Sequence, residues 1–317
     1  MLERSASAND WNLLTSEAPK RHQFSSDLYF RECWPDWVTI LGSDPHRHLH
    51  SLAMLCAKPD AVVARRLRPM LQYVIERGFQ PIGVERTEFN RHSMREIWRY
   101  DWHVYPVDRL DFSTRWFSAC PTLTFFLRDT QPIPGVPASV RLSDLKGGPV
   151  AAFRRPDDMR SVLAPPNRVL NFVHIPDEPA DIVRELGILF ERNQRINLIQ
   201  RLHANFDSNL HERLVSAIDQ IESEVPVHDL DIQASMMRLQ AAGAIQKQAA
   251  AKLAIALANE EKLGWDQLTE LVDMDCKQAD RWDIICLASW LIPLERTNVT
   301  GLLETGTLQT WRRKTQA

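Results

Sequence analysis

The sequence predicts an α+β domain followed by an all-α region. Short apolar runs at Leu52–Cys56, Ile82–Val84, Leu123–Leu127 and Val169–Val173 alternate with segments of helical periodicity as far as about residue 190. Beyond about Asn205 the strand signals vanish, while apolar residues three and four positions apart continue. At 317 residues the chain exceeds one average domain, so more than one is expected. The expected divisions are an N-terminal extension (1–50), the α+β domain (51–200) and a helical C-terminal domain or extension (201–317).

Residues 1 to about 25 are polar and mixed and read as mobile. From Asp27 to His50 the chain reads as irregular, broken by Pro35, Gly42 and Pro45. Leu52–Cys56 then reads as a buried strand ending at the turn Lys58-Pro59-Asp60. Pro69 fits the first turn of a helix running to Arg77, with Met70, Leu71, Val74 and Ile75 as its stripe and Gly78 as its stop. Ile82 and Val84 mark a second strand, and Phe89–Phe117 reads as helical in pieces. After the third strand at Leu123–Leu127, residues 130–168 are rich in Pro, Gly and Arg and read as loops with short helical turns. The fourth strand is followed by a helix from about Pro179, with Ile182, Val183, Leu186, Leu189 and Phe190 on one side. This order fits a ferredoxin-like antiparallel sheet covered by helices on one face. In the last third, Leu210, Leu214, Ile218 and Ile221 form a helical stripe closed by Pro226. Ala241–Asn259 is a strong helix former, and Trp282, Ile285 and Trp290 suggest another buried helix.

Composition narrows the function classes. A net charge of −3 and a pI near 6.4 give no global attraction to nucleic acid or to an anionic membrane. No run of 18 apolar residues occurs, so no membrane span is expected. The five cysteines form no CxxC pair, which indicates neither a disulfide framework nor a zinc ribbon. With no signal-peptide pattern at the start, the expected compartment is the cytoplasm. His46, His48 and His50 alternate as strand residues on one face would, but no Cys or carboxylate cluster completes a metal set beyond Asp44. They read as a polar lead-in to the first strand. The aromatic stretch Trp98–His103 reads as core or as a platform for a nucleotide base.

Four features point to one chemistry. Lys58-Pro59-Asp60 closes the first strand, Gly78-Phe79 follows the first helix, Asn171-Phe172-Val173-His174 ends the last strand, and Glu185 and Gly187 lie 11 and 13 residues beyond that histidine. A neutral imidazole attacks phosphorus near neutral pH if its second ring nitrogen is held by an acceptor. Glu185 is placed to be that acceptor. Lys58 and an arginine from residues 141–168 would neutralise phosphate charge, and Asn171 would bind a sugar hydroxyl or a phosphate oxygen.

On these motifs, residues 51 to about 193 resemble the nucleoside diphosphate kinase family. The resemblance implies that His174 carries the phosphoryl group, that Glu185 is its partner, and that Lys58 contacts the nucleotide phosphates and Asn171 the ribose. It implies two phosphate-binding arginines, for which Arg160 is the first choice and Arg141 the second, with Arg154 and Arg155 as competitors. An aromatic residue would sandwich the base, with Trp98, Trp102 and Tyr105 as candidates. ATP as phosphoryl donor, Mg²⁺ on its phosphates, a nucleotide partner and a homo-oligomer are implied likewise, although segments at both ends stand in the way of the family's assembly. The sequence departs from the family where Ile175-Pro176 replaces Gly-Ser after the histidine and Ala64-Arg65-Arg66 follows the KPD turn. Two readings follow: a phosphotransferase working through phospho-His174 on a nucleoside diphosphate or a specialised small molecule, or a nucleotide-binding module of weak or no activity whose helical half meets a protein partner.

Overall fold

A computed structural model describes residues 5–42, 44–204 and 209–316. The chain is α+β, with a four-stranded antiparallel sheet in the order β2-β3-β1-β4, where β1 is Leu52–Ala57, β2 Phe79–Thr87, β3 Thr122–Asp129 and β4 Val173–His174. All six residues of β1 are buried. Since neighbouring strand residues point to opposite faces, the central strand is covered on both sides. Its register sets Leu55 opposite Phe125 of β3 and Cys56 opposite His174 of β4. Pro81, which has no N–H to give a ladder, lies beside a bulge on the outer strand β2. The threonines of β3 satisfy themselves inside the sheet: Thr122 donates to the Ala57 carbonyl at 2.8 Å, and Thr124 shares a bond with Thr87 at 2.7 Å.

The segment before β1 is helical, which corrects the mobile and irregular reading. The helices are α1 (Ala8–Leu14), α2 (Ala18–Phe24), α3 (Leu28–Leu41) and α4 (Pro45–Ser51). Their signals are local caps. Ser7 and Asp10 form a reciprocal capping box, Asp27 accepts from the N–H groups of Tyr29 and Phe30, and Asp44 caps a helix that has Pro45 in its first turn. Phe30, Cys33, Trp34, Trp37 and Val38 give α3 a buried stripe that outweighs the internal Pro35. Helix also redistributes the three histidines of α4. His46 and His50, one turn apart, bond Asp10 and the Leu13 carbonyl of α1, while His48 meets His203, so the three do not share one face.

Between the strands lie α5 (Pro59–Val63), α6 (Leu67–Glu76), α7 (Arg91–Ile97), α8 (Val107–Phe117), α9 (Ala138–Lys146) and α10 (Met159–Leu163). Gly78 ends α6 as expected, at φ +78°, a conformation in which a side chain is strained. After β4 the described chain is helical: α11 (Pro179–Leu189), α12 (Arg192–Ala204), α13 (Leu210–Glu224), α14 (Ile232–Ala241), α15 (Lys247–Ala258), α16 (Trp265–Leu271), α17 (Arg281–Leu291) and α18 (Leu308–Gln316). No helix among the described residues is long and apolar enough to cross a membrane.

Two contacts fix α11. Gly187 lies so close to α3 that an added Cβ would sit 2.5 Å from the Tyr29 carbonyl oxygen. Glu178, the fully buried cap of α11, accepts from the Thr15 hydroxyl at 2.6 Å, the Ser16 N–H at 2.7 Å and the Trp311 indole at 2.8 Å, and pairs with Lys20 at 2.9 Å. One carboxylate therefore ties α1, α2 and α18 to α11.

Gly187→Ala must push two backbones apart and is expected to lower stability by about 1–3 kcal/mol, the usual range for overpacking. Urea unfolding followed by circular dichroism reads this; a midpoint equal to that of the unmodified protein would contradict the close packing.

Candidate functional site

The site begins where β1 ends. Lys58 caps α5, and Asp60, fully buried in the first turn, accepts from the Phe172 N–H at 2.8 Å and the Trp116 indole at 3.1 Å. The Lys58 N–H returns a bond to the Phe172 carbonyl at 2.8 Å. Phe172 is thereby held at φ +68°, a left-handed conformation that a bulky residue adopts only under constraint. Its ring is buried. This kink precedes β4 and carries Asn171 and His174 to the same cavity, about 310 Å³ in volume.

The His174 Nε2 lies 2.9 and 2.8 Å from the two carboxylate oxygens of Glu185 on α11. A carboxylate accepts, so Nε2 carries the proton and Nδ1 keeps its lone pair. Trp98 meets the imidazole edge-on at 4.9 Å between ring centres.

Beside the imidazole stand cations with few anionic partners. The Lys58 ammonium donates to the Asn171 side-chain oxygen at 2.5 Å and sits 5.0 Å from the centre of the Trp116 ring. Burial, reinforced by Arg160, holds its pKa well below the usual lysine range. Arg160 donates to Asn171 at 3.2 Å, to the Val173 carbonyl at 3.1 Å and to the Gly147 carbonyl at 2.8 Å, while its Nε is buried without a partner. Burial and the charge of Arg154 bring Arg160 down to about 10.

The other wall is acidic. Asp177 accepts from Ser143 at 2.6 Å and pairs with Lys146 at 3.4 Å. Lys20 pairs with Asp181 at 2.6 Å as well as with Glu178. Against the cost of burial, Lys146 and Lys20 hold Asp177 below the ordinary carboxylate range, and Lys20 does the same for Glu178. Burial and these two neighbouring charges push Asp181 up to about 7 despite Lys20. Three carboxylates share too little positive charge, so the third holds its proton more tightly than an exposed carboxylate would.

Lys58, Asn171, Arg160, His174, Glu185, Trp98, Trp102 and Tyr105 all line this cavity. Arg141 does not: it donates to Asp129 at 2.7 Å and to the Arg77 carbonyl at 2.5 Å, and stacks over Phe79 at 4.4 Å. The carboxylate at the end of β3 pulls Arg141 away from the site, which corrects its assignment as a phosphate ligand. Arg154 is spent on the carbonyls of Gly148 and Pro149, and Arg155 on Asp144 and Asp158. Lys146, Arg109, Arg168, Asp177 and Asp181 line the cavity without having been singled out in the sequence, since each stands alone there. Leu294 and Glu295 reach it from the segment after α17, with Glu295 2.5 Å from Arg168 and the Arg296 N–H 2.8 Å from the Val104 carbonyl. Among the described residues no group of three or more His, Cys, Asp or Glu side chains is arranged to hold a metal ion.

No protein-family model and no curated protein matches the sequence. Solved structures similar to part of the chain include nucleoside diphosphate kinase from Aquifex aeolicus, at 20% identity and a TM-score of 0.36 over 45% of this chain and 97% of that one. An NDP kinase from Pyrobaculum aerophilum is similar at 13% identity and a TM-score of 0.36 over 45% and 97% of the two chains. A halophilic nucleoside diphosphate kinase from Halobacterium salinarum in complex with CDP is similar at 16% identity and a TM-score of 0.36 over 45% and 89%.

Two outcomes follow from this geometry. Asp60→Ala leaves the Phe172 and Trp116 donors unmatched and is expected to cost about 2–3 kcal/mol in urea unfolding; an unchanged midpoint would refute the clasp. For Asp181, a folded pKa raised above the unfolded value means that its share of stability is present at low pH and is lost as pH rises from about 4 to about 7. Melting curves of Asp181→Asn should therefore lack this decline, and the gap between variant and unmodified protein should widen across that window.

Proposed function

We propose that this protein is a phosphotransferase in which His174 Nδ1 takes a phosphoryl group from ATP and passes it to a nucleoside diphosphate or a related small anion. The observation that carries the reading is the imidazole clamped through Nε2 by Glu185 at 2.8 Å, its Nδ1 lone pair left free in a cavity that also holds Lys58, Asn171 and Arg160. The reading of the residues and the resemblance of their motifs support the same assignment.

In the first half-reaction the Nδ1 lone pair forms an N–P bond as the P–O bond to the departing diphosphate breaks, and that diphosphate takes the electron pair. Glu185 stabilises the positive charge that the ring acquires. Lys58 and Arg160 meet the charge on the phosphoryl oxygens, and Asn171, held between both cations, orients them. An acceptor oxygen then attacks the same phosphorus, and the N–P bond returns its electrons to the imidazole. Mg²⁺ would arrive on the nucleotide phosphates and supply further neutralisation there; the acidic side chains of the cavity wall are already engaged with Lys20, Lys146 and Ser143. Trp98, Trp102 and Tyr105 would flank the base. We read the strand order β4-β1-β3-β2 as ferredoxin-like, with 51–200 as the catalytic unit and 1–50 and 201–317 as additions to it.

A second reading, a nucleotide-binding module without turnover, is favoured by Pro176, which removes a backbone donor beside His174, and by the segment after α17 that meets the cavity at Glu295. Incubation with γ-labelled ATP and Mg²⁺ separates the two. The phosphotransferase predicts acid-labile, base-stable label that is absent in His174→Ala, with Lys58→Met and Arg160→Gln slowing labelling by about 10²–10³-fold. Nucleotide binding without label would sink the phosphotransferase and leave the module.

A further inference from the structure

Arg109, on α8, lines the cavity far in sequence from the motifs described above, and its surroundings are unlike those of Arg160. Its Nε and Nη1 are buried and make no hydrogen bond. The guanidinium lies 5.8 Å from the centre of the Tyr105 ring. Burial and the charge of Arg168 draw it down to about 10, only partly opposed by Tyr105 and Glu295. Arg168 is itself joined to Glu295 in a half-exposed pair, so that carboxylate is already engaged. A guanidinium with two buried, unmatched donor nitrogens is unfavourable by itself. It suits a site where an anion with oxygens spaced for its fork replaces the lost hydration.

The two arginines do not share partners. Arg160 holds Asn171, Val173 and Gly147, whereas Arg109 stands among Tyr105, Arg168 and Glu295. Lys58 feels the charge of both, and all three line one cavity.

We propose that Arg109 is a second anion subsite, and that the natural ligand carries a carboxylate or phosphate at the end away from the transferred phosphoryl group. This inference rests on the reading of the Lys58–Arg160 end as the phosphoryl site. It makes the acceptor a doubly anionic compound rather than a nucleoside diphosphate with a neutral base at that end. The aromatic rings of Trp102 and Tyr105 would then flank the middle of the ligand.

Three matched probes test it in the full-length protein, by calorimetry or tryptophan fluorescence: ribose 5-phosphate, ribose 1,5-bisphosphate and 5-phosphoribonate. The unmodified protein should bind at least one doubly anionic probe about tenfold or more tighter than ribose 5-phosphate, and which of the two gains tells phosphate from carboxylate. Arg109→Gln should erase that gain and leave ribose 5-phosphate unchanged, while Arg160→Gln should weaken all three. Equal binding of the three probes, or a gain that survives Arg109→Gln, overturns the subsite alone, since ribose 5-phosphate binding that depends on Arg160 still upholds the phosphoryl end. Failure of all three probes and of ADP to bind overturns both. A further measurement needs no ligand: Arg109→Met should raise the melting temperature by about 2 °C or more, because it removes an uncompensated buried charge. A lower melting temperature would assign Arg109 a structural role and overturn the subsite.

Discussion

The exchange between Asp60 and Phe172 is the constraint on which the site depends. Two segments more than a hundred residues apart are joined by a carboxylate that takes the Phe172 N–H and by a Lys58 N–H that takes the Phe172 carbonyl. Both backbone groups of Phe172 are engaged while it holds its left-handed conformation, and β4, two residues long, begins at the next residue. The same short strand sets His174 opposite Cys56 of the fully buried strand β1, inside the sheet's hydrogen-bonding pattern.

The cavity is electrically divided. On one side Lys58, Arg160 and Arg109 lose hydration and are only partly offset, by Asp60 beside the first two and Glu295 beside the third; on the other, Asp177, Glu178 and Asp181 crowd around Lys20 and Lys146. His174 and Glu185 lie on the boundary. Such a division favours a ligand that is strongly negative toward the cationic side, because each buried cation regains there the stabilisation it lost with its hydration shell.

Much of this was legible in the sequence because it is local. The Pro69–Gly78 helix, the first three strand runs and the interval from His174 to Glu185 depend on neighbours a few turns away, whereas the fourth run, expected at Val169–Val173, is strand only at Val173–His174 because Phe172 takes a left-handed turn. Gly187 also has a plain reason, the approach of Tyr29 on α3. What was not legible depends on distant partners. The stripe of α3 was hidden by Pro35 and Gly42, although the caps Ser7, Asp27 and Asp44 were present in the sequence. Arg141 was lost to Asp129, a residue that sequence spacing does not connect to phosphate chemistry. Lys20 enters the acidic wall from a segment read as mobile, and Arg109 is an isolated arginine in an amphipathic helix, with no motif to mark it.

The buried Glu178 carboxylate has a consequence for the order of folding. Its partners come from residues 15, 16 and 20 at one end and from Trp311 at the other. During synthesis from the N-terminus, α1, α2 and α11 can meet as soon as α11 leaves the ribosome, but Trp311 is added well over a hundred residues later. At the rate of chain elongation this is a wait of roughly ten seconds. Throughout that interval the Glu178 carboxylate lacks its Trp311 donor and stays open to water on that side, so the covering of this corner is among the last steps of folding.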